Sequence, residues 1–339
     1  MYGKKKCLIA KGYYWPNTRP MKTKWTTANI PSQVGRRAVI TGSNSGIGFE
    51  AALALARKGA ELILPARTQA KADDAVARIR EQVPNAQLYP EILDLAVQAS
   101  VHAFANRVTE RFPGQSLDLL INNAGVMALP TREVTGDGFE RQFATNYLGP
   151  FALTGLLLPS IRQKAGSRVV TVSSSASNQG RIEFDNLQSE RVYKPMFQAY
   201  AQSKLADLIF AQELQRRLKA AGSPILSTAA HPGYAVTNLQ ADHVPLGLKI
   251  LITIMKPFLS QDAAHGALPT LYAAVAAEAV AGGYYGPDGF AELKGYPTPV
   301  PVPKSALDET LAKRLWVESE RLTRVKFGAL SEARLEAVS

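Results

Sequence analysis

Cysteine is almost missing from this chain: Cys7 is the only one among 339 residues. An internal disulfide framework is thereby excluded, and the usage fits a reducing, cytoplasmic compartment. Histidine is scarce too. The four present show no metal-ligand spacing, so no metal centre is expected. Long apolar runs are absent as well; the nearest candidate, "PLGLKILITIMKPFL" from Pro245 to Leu259, is broken by Lys249 and Lys256. A membrane-spanning helix needs about 18 or more such residues, so no transmembrane segment is expected and any membrane contact would be peripheral. Acidic residues are absent from residues 1–20, where Lys4, Lys5, Lys6, Lys11 and Arg19 stand unopposed. Beyond that leader the formal charge of +11 shrinks to 34 basic against 28 acidic residues. Such a moderate excess makes no case for nucleic acid as a partner.

The leader itself is no secretory signal, because "CLIA" is too short for an apolar core. Its aromatics, Tyr2, Tyr13, Tyr14 and Trp15, follow no period, so disorder or loose packing is expected, and Met21 is an alternative start. Beyond it, 46% of residues are hydrophobic, enough to bury a sizeable core. Short apolar runs alternate with helix-length stretches: 37–41, 61–66, 88–93, 117–122, 167–173 and 224–230 read as strands. That alternation predicts an α/β fold, a doubly wound Rossmann-type parallel sheet, as one domain from about Met21 to Val325. A tail over 326–339 follows, and "YPTPVPVP" (296–303) reads as extended chain before a last helix near 306–325.

After the first strand comes Thr41 and then "GSNSGIG": Gly42, Ser43, Asn44, Ser45, Gly46, Ile47 and Gly48. Glycines let the backbone turn tightly and approach a pyrophosphate at the N-terminus of the next helix. A strand before and a helix after is the setting that supports a dinucleotide site over an empty tight loop.

Further along, "AYAQSKLADL" (199–208) belongs to a helix whose apolar stripe is Ala201, Leu205, Leu208, Ala211, Leu214 and Leu218, stopped at Gly222. Tyr200 and Lys204 lie one turn apart beside that stripe. By spacing alone they are either two solvated surface residues or a phenol held near an ammonium.

Taken together, the ordered set resembles the short-chain dehydrogenases/reductases. It comprises Thr41-Gly-x-x-x-Gly-x-Gly48, Asp94–Leu95, "NNAG" at Asn122–Gly125, Asn146 in "NYLGPF", "VSSS" ending at Ser175, Tyr200-x-x-x-Lys204 and "HPG" at His231–Gly233 with Thr237. The resemblance runs from Val39 to Thr237 and implies a nicotinamide cofactor held by the glycine loop, Asp94, Leu95, Asn123, Ala124, Gly125, Tyr200, Lys204, Pro232 and Gly233. It implies Tyr200 as proton donor and acceptor, since an ordinary phenol titrates at about 10 and needs a neighbouring cation to serve near neutrality. Lys204 is that cation and binds the nicotinamide ribose. Ser174 would hold the substrate oxygen, with Ser173 and Ser175 as strand-end structure. Asn146 would hold a water relaying protons toward Lys204, or else mark a helix kink. Asp94 would contact the adenine, cap the following turn, or do both. At the end of the second strand stands Ala66 rather than an acid, followed by Arg67, which can clamp a 2′-phosphate or stack on adenine; this favours NADP(H) over NAD(H).

Other residues are set aside. Tyr147, Tyr193 and Tyr234 lack a lysine four residues on, and His231 reads as a satisfied structural histidine. Ser174 to Tyr200 spans 26 residues, and the segment 180–196 with "NLQSERVY" is similar to the retinol-dehydrogenase-like branch. That implies a small lipophilic aldehyde, ketone or alcohol as substrate. The stretch at about 234–260 would cover it, although core packing fits its apolar part equally, with a membrane-surface helix a distant third reading. A homodimer is compatible with the resemblance, though the insertion alters the surface where the family pairs. The rival from another class is a non-catalytic NADP-binding sensor or scaffold. A sugar-nucleotide epimerase lacks support, because its glycine spacing and longer C-terminal domain are missing.

Overall fold

The aliphatic runs assemble into one eight-stranded sheet: β1 (Arg37–Ile40), β2 (Glu61–Ala66), β3 (Leu88–Ile92), β4 (Leu119–Asn122), β5 (Arg168–Val172), β6 (Leu226–Ala230), β7 (Tyr284–Pro287) and β8 (Pro297–Pro299). Their spatial order is β3-β2-β1-β4-β5-β6-β7-β8. Neighbours from β3 to β7 pair in parallel, and β8 closes the edge antiparallel to β7. The computed structural model describes residues 13–14, 24–234 and 261–331.

Side chains alternate across each strand, so Val39 enters one core while Ala38 and Ile40 enter the other. On the second face pack α1 (Gly46–Arg57), α2 (Gln69–Gln82) and α7 (Ala263–Val275). On the first pack α3 (Gln98–Arg111), the helical segments α4 (Arg141–Phe143) and α5 (Gly149–Leu157), and α6 (Ala201–Ala220). This is the doubly wound parallel fold that the strand–helix alternation predicts. The succession of strands along the sheet reverses between β1 and β4, which opens a crevice at the strand C-termini.

Two strands were not legible in the sequence. Tyr284–Pro287 and Pro297–Pro299 extend the sheet past the six expected strands. The proline-rich stretch is extended, as read, and its prolines sit where a missing N–H is tolerated, on an edge strand. Tyr13–Tyr14 pairs antiparallel with Val302–Pro303. The rest of the leader and residues 235–260, including the apolar stretch, lie outside the described residues. The expected tail boundary moves: Phe327 is buried, its ring 4.4 Å from Trp316 and 5.0 Å from Phe151. Ordered packing therefore continues beyond Val325, because an aromatic side chain two residues on completes that cluster. Among the described residues no helix is long and apolar enough to cross a membrane, and no cluster of potential metal ligands occurs.

Candidate active site

A cleft of about 560 Å³ opens at the switch point, lined by the glycine loop, the ends of β2, β4 and β5, and the start of α6. Local chemistry explains its shape. Gly42 and Gly46 adopt φ of +69° and +56°, a region that favours glycine. The α1 N-terminus has no side-chain cap and no acid in its first turn, so its backbone N–H groups and positive dipole end are left for an anion. Thr41 ties this loop to the next strand end. Its hydroxyl accepts from the N–H groups of Asn123 and Ala124 at 3.0 Å, and Asn123 Nδ2 donates to Thr41 O at 2.9 Å.

Of the expected cofactor residues, Gly42, Asn44, Ser45, Gly46, Ile47, Gly48, Arg67, Asp94, Leu95, Asn123, Ala124, Gly125, Tyr200, Lys204 and Pro232 all line the cleft. Ser43 is buried beneath it with an unpartnered Oγ. Gly233 stands just outside and donates its N–H to His231 Nδ1 at 3.3 Å. Asp94 Oδ1 accepts from Ala96 N at 2.9 Å, so the turn-capping reading holds while Asp94 also lines the cleft. Ala66 and Arg67 share the cleft wall with Lys71, from the first turn of α2. Among the described residues the carboxylate in the lining is Asp94, next to Leu93, whose N–H donates to Ala66 O at 2.9 Å. Sequence reading passed over Lys71 because it resembles any solvated cation on a charged helix. The residues present fit a nicotinamide nucleotide: a glycine turn, an uncapped helix N-terminus and paired cations share one crevice.

At the other end of the cleft the helix question is answered. Every member of the apolar stripe is at most 1% exposed, but Tyr200 (9%), Lys204 (5%) and Asp207 (1%) are buried too. The first half of α6 is therefore buried on its polar side as well, and the solvated-surface reading fails. Each fully buried leucine of the stripe contributes roughly 1.5–3 kcal/mol. Lys204 Nζ donates to Val172 O at 2.9 Å and Asp207 Oδ2 at 2.8 Å, and lies 6.0 Å from the Tyr200 ring centre. Burial pushes the Lys204 ammonium down, but the charge of Asp207, Tyr200 and the bond to Asp207 outweigh it and hold the group above its ordinary range. Burial pushes the Asp207 carboxyl up to about 7, against the pull of Lys204.

The two candidate serines have separate jobs. Ser173 is buried and its Oγ donates to Lys204 O at 2.7 Å, strapping β5 to α6. Ser174 is half-buried; its Oγ accepts from Ala176 N at 3.2 Å, leaving the hydroxyl hydrogen to donate elsewhere. Ser174 sits beside the cleft lining rather than in it.

Asn146 lies in a π-helical turn, Ala144–Leu148, between α4 and α5. Its Oδ1 accepts from Val126 N at 2.7 Å, and its Nδ2 donates to Val126 O and Ser203 Oγ, both at 2.9 Å. Both amide hydrogens are thus used in fixing the strand-end loop against α6. A Cβ placed at Gly125 would stand 3.2 Å from Asn146 Oδ1 and 3.6 Å from Lys204 Nζ, so these three groups converge. A second π-helical turn, Pro195–Tyr200, delivers Tyr200 to the start of α6. Such turns often mark functional positions.

The insertion 180–196 is an ordered wall. Leu187 is buried, Gln188 Oε1 accepts from Glu140 N at 2.7 Å, and Gln202 Nε2 donates to Leu187 O at 3.1 Å. Tyr193 donates to Leu129 O at 2.6 Å, while Tyr147 bonds Ser319 at 2.7 Å, so both are committed away from the cleft. His231 is fully buried, with Nδ1 accepting from Gly233 and Nε2 directed at Glu292 Oε2, 2.8 Å away. It is the satisfied structural histidine its position suggests.

Residues 36–245 match the family described as short chain dehydrogenase. Retinol dehydrogenase 13 of Homo sapiens is 39% identical over 333 residues, covering 97% of this chain and 94% of that protein. A crystal structure of an uncharacterized protein from Mycobacterium paratuberculosis is similar at 41% identity and a TM-score of 0.74, over 90% of this chain and 99% of that one. An angucycline C-6 ketoreductase with bound NADP is similar at 26% identity and a TM-score of 0.58, over 75% and 94% of the two chains. The chain belongs to the short-chain dehydrogenase family, whose members bind a nicotinamide cofactor. Within it, the protein falls in the retinol-dehydrogenase-like branch.

Proposed function

We propose that this protein is an NADP(H)-dependent oxidoreductase that interconverts a lipophilic aldehyde or ketone and its alcohol. One observation carries the reading: Tyr200 and a charge-paired Lys204 close one end of the cleft whose other end is the glycine loop. The nucleotide, when bound, supplies or receives the hydride at the substrate carbon. Tyr200 gives its hydroxyl proton to the substrate oxygen in reduction and takes one back in oxidation. Lys204, fixed by Val172 O and Asp207, stands at the cleft wall to meet the ribose. Ser174 uses its free hydroxyl hydrogen to hold the substrate oxygen, and Asn146 keeps Val126 and Ser203 in register around them. The retinol dehydrogenase relative supports a lipophilic substrate.

Following NADPH and NADH oxidation against aldehydes, ketones and quinones tests this directly, with turnover of lipophilic carbonyls expected and NADPH preferred. Nucleotide binding without turnover of any carbonyl or alcohol would instead favour the non-catalytic sensor.

For the cofactor, Arg67 and Lys71 support NADP, since both cations line the cleft wall and Ala66 stands at the strand end where an acid would favour NAD. Exchanging Ala66 for Asp together with Arg67→Ser should reverse the preference, as each tenfold change corresponds to about 1.4 kcal/mol. The ratio of kcat/KM for NADPH and NADH reads it. An unchanged ratio in the double variant counts against the assignment.

A further inference from the structure

The start of α6 buries one more ionisable group than the proposed chemistry uses. Tyr200 and Lys204 line the cleft; Asp207, 1% exposed, does not. A carboxylate withdrawn from water is tolerated when a charge pairs with it. Here Asp207 Oδ2 accepts from Lys204 Nζ at 2.8 Å, while Oδ1 finds no partner among the described residues. Among those residues, Asp207 is the only carboxylate within 4.0 Å of Lys204 Nζ, and the other fixed contact, Val172 O, is neutral. The other titratable groups facing the pair are Tyr200 on α6 itself and Tyr147 from the π-helical turn, whose hydroxyl is held by Ser319 of the helix Glu309–Thr323.

We propose that Asp207 is a positioning residue for the Tyr200–Lys204 pair: seated behind Lys204, away from the cleft, its carboxylate keeps the lysine charged and fixed on the alkaline side of neutrality. The consequence for turnover rests on the oxidoreductase reading above; the ionisation of Lys204 does not. Asp207→Asn preserves shape and can still accept from Lys204, but it removes the counter-charge. Burial then acts on the ammonium with less to oppose it, so Lys204 loses its proton at lower pH.

The test is an NMR titration of lysine labelled at the ε-carbon, with the Lys204 signal assigned through Lys204→Arg. In the native protein the midpoint is expected above 10.5; in Asp207→Asn it should fall by roughly one pH unit or more. The alkaline descending limb of kcat should move toward neutrality by a similar interval, with KM for the carbonyl substrate little altered. Asp207→Ser, smaller and also uncharged, gives the same displacement and serves should the asparagine variant fail to fold. Coincident lysine titrations overturn the proposal, as does a displaced titration with superimposed pH–rate profiles. A native Lys204 that titrates below about pH 9 overturns it without any variant. If neither protein turns over a substrate, the oxidoreductase reading has failed, and the lysine titration alone decides the inference.

Discussion

Tyr200→Phe is expected to lower kcat by about three to four orders of magnitude while nucleotide affinity stays essentially unchanged. Loss of a positioned general acid–base typically costs about 10²–10⁴-fold. The upper part of that range applies here because, among the described residues, no second phenol lines the cleft: Tyr147 and Tyr193 are bonded to Ser319 and Leu129 and line no part of it. In barrier terms this is roughly 4–5.5 kcal/mol. The variant keeps the ring that fills the wall between α6 and β5 and removes one oxygen, so packing barely changes. Nucleotide contacts fall mainly to the glycine loop, Asp94 and the Arg67–Lys71 end, which the substitution leaves alone. Stopped-flow or steady-state reduction assays, paired with NADPH fluorescence titration, separate the two effects. A sensor or scaffold would be indifferent to the change. Near-native turnover in Tyr200→Phe would remove the central assignment.

How much of this was legible beforehand depends on what each signal requires. Strands β1, β2, β4, β5 and β6 are buried on both faces, so they appear as aliphatic runs such as Val169–Val170 and Ile63–Leu64, which need no tertiary information. Strand β7 begins with two tyrosines and ends in Gly-Pro, and β8 has two prolines in three residues; both are strands by virtue of their neighbours. The glycine loop and the Tyr200–Lys204 spacing are local and were readable. The π-helical turns were not, because a single widened turn barely disturbs a hydrophobic period. Nor was Asp207. A lysine and an aspartate three residues apart on a helix ordinarily form a solvated pair. Their burial here depends on remote chain, notably Tyr147 of the π-helical turn, which faces Asp207 and is held by Ser319 of the Glu309–Thr323 helix, all fixed only on folding.

The second large effect is expected at Gly48. A methyl group there would stand 2.3 Å from Gly42 O and 2.4 Å from Asn123 Nδ2. The first is main chain in the turn that shapes the cleft floor. The second is an amide already spent on Thr41 O at 2.9 Å. Neither can yield alone, so Gly48→Ala must push the glycine loop away from the β4 end. That displaces the α1 N-terminus from the strand-end loop carrying Asn123 to Gly125. Overpacking of this kind costs about 1–3 kcal/mol of stability. The cost to binding should be larger, since a pyrophosphate needs loop, helix N-terminus and strand end in one register. We expect NADPH affinity to fall at least about 100-fold, or roughly 2.7 kcal/mol, with the folded protein still recoverable at moderate temperature. Gly136, with nothing within 4 Å of an added Cβ, is the matched control, and Gly136→Ala should bind NADPH like the native protein. Thermal unfolding measured alongside distinguishes lost binding from lost fold. If Gly48→Ala bound NADPH with native affinity, the cleft floor would have to be plastic, and the crevice between β1 and β4 would lose its claim to hold the nucleotide.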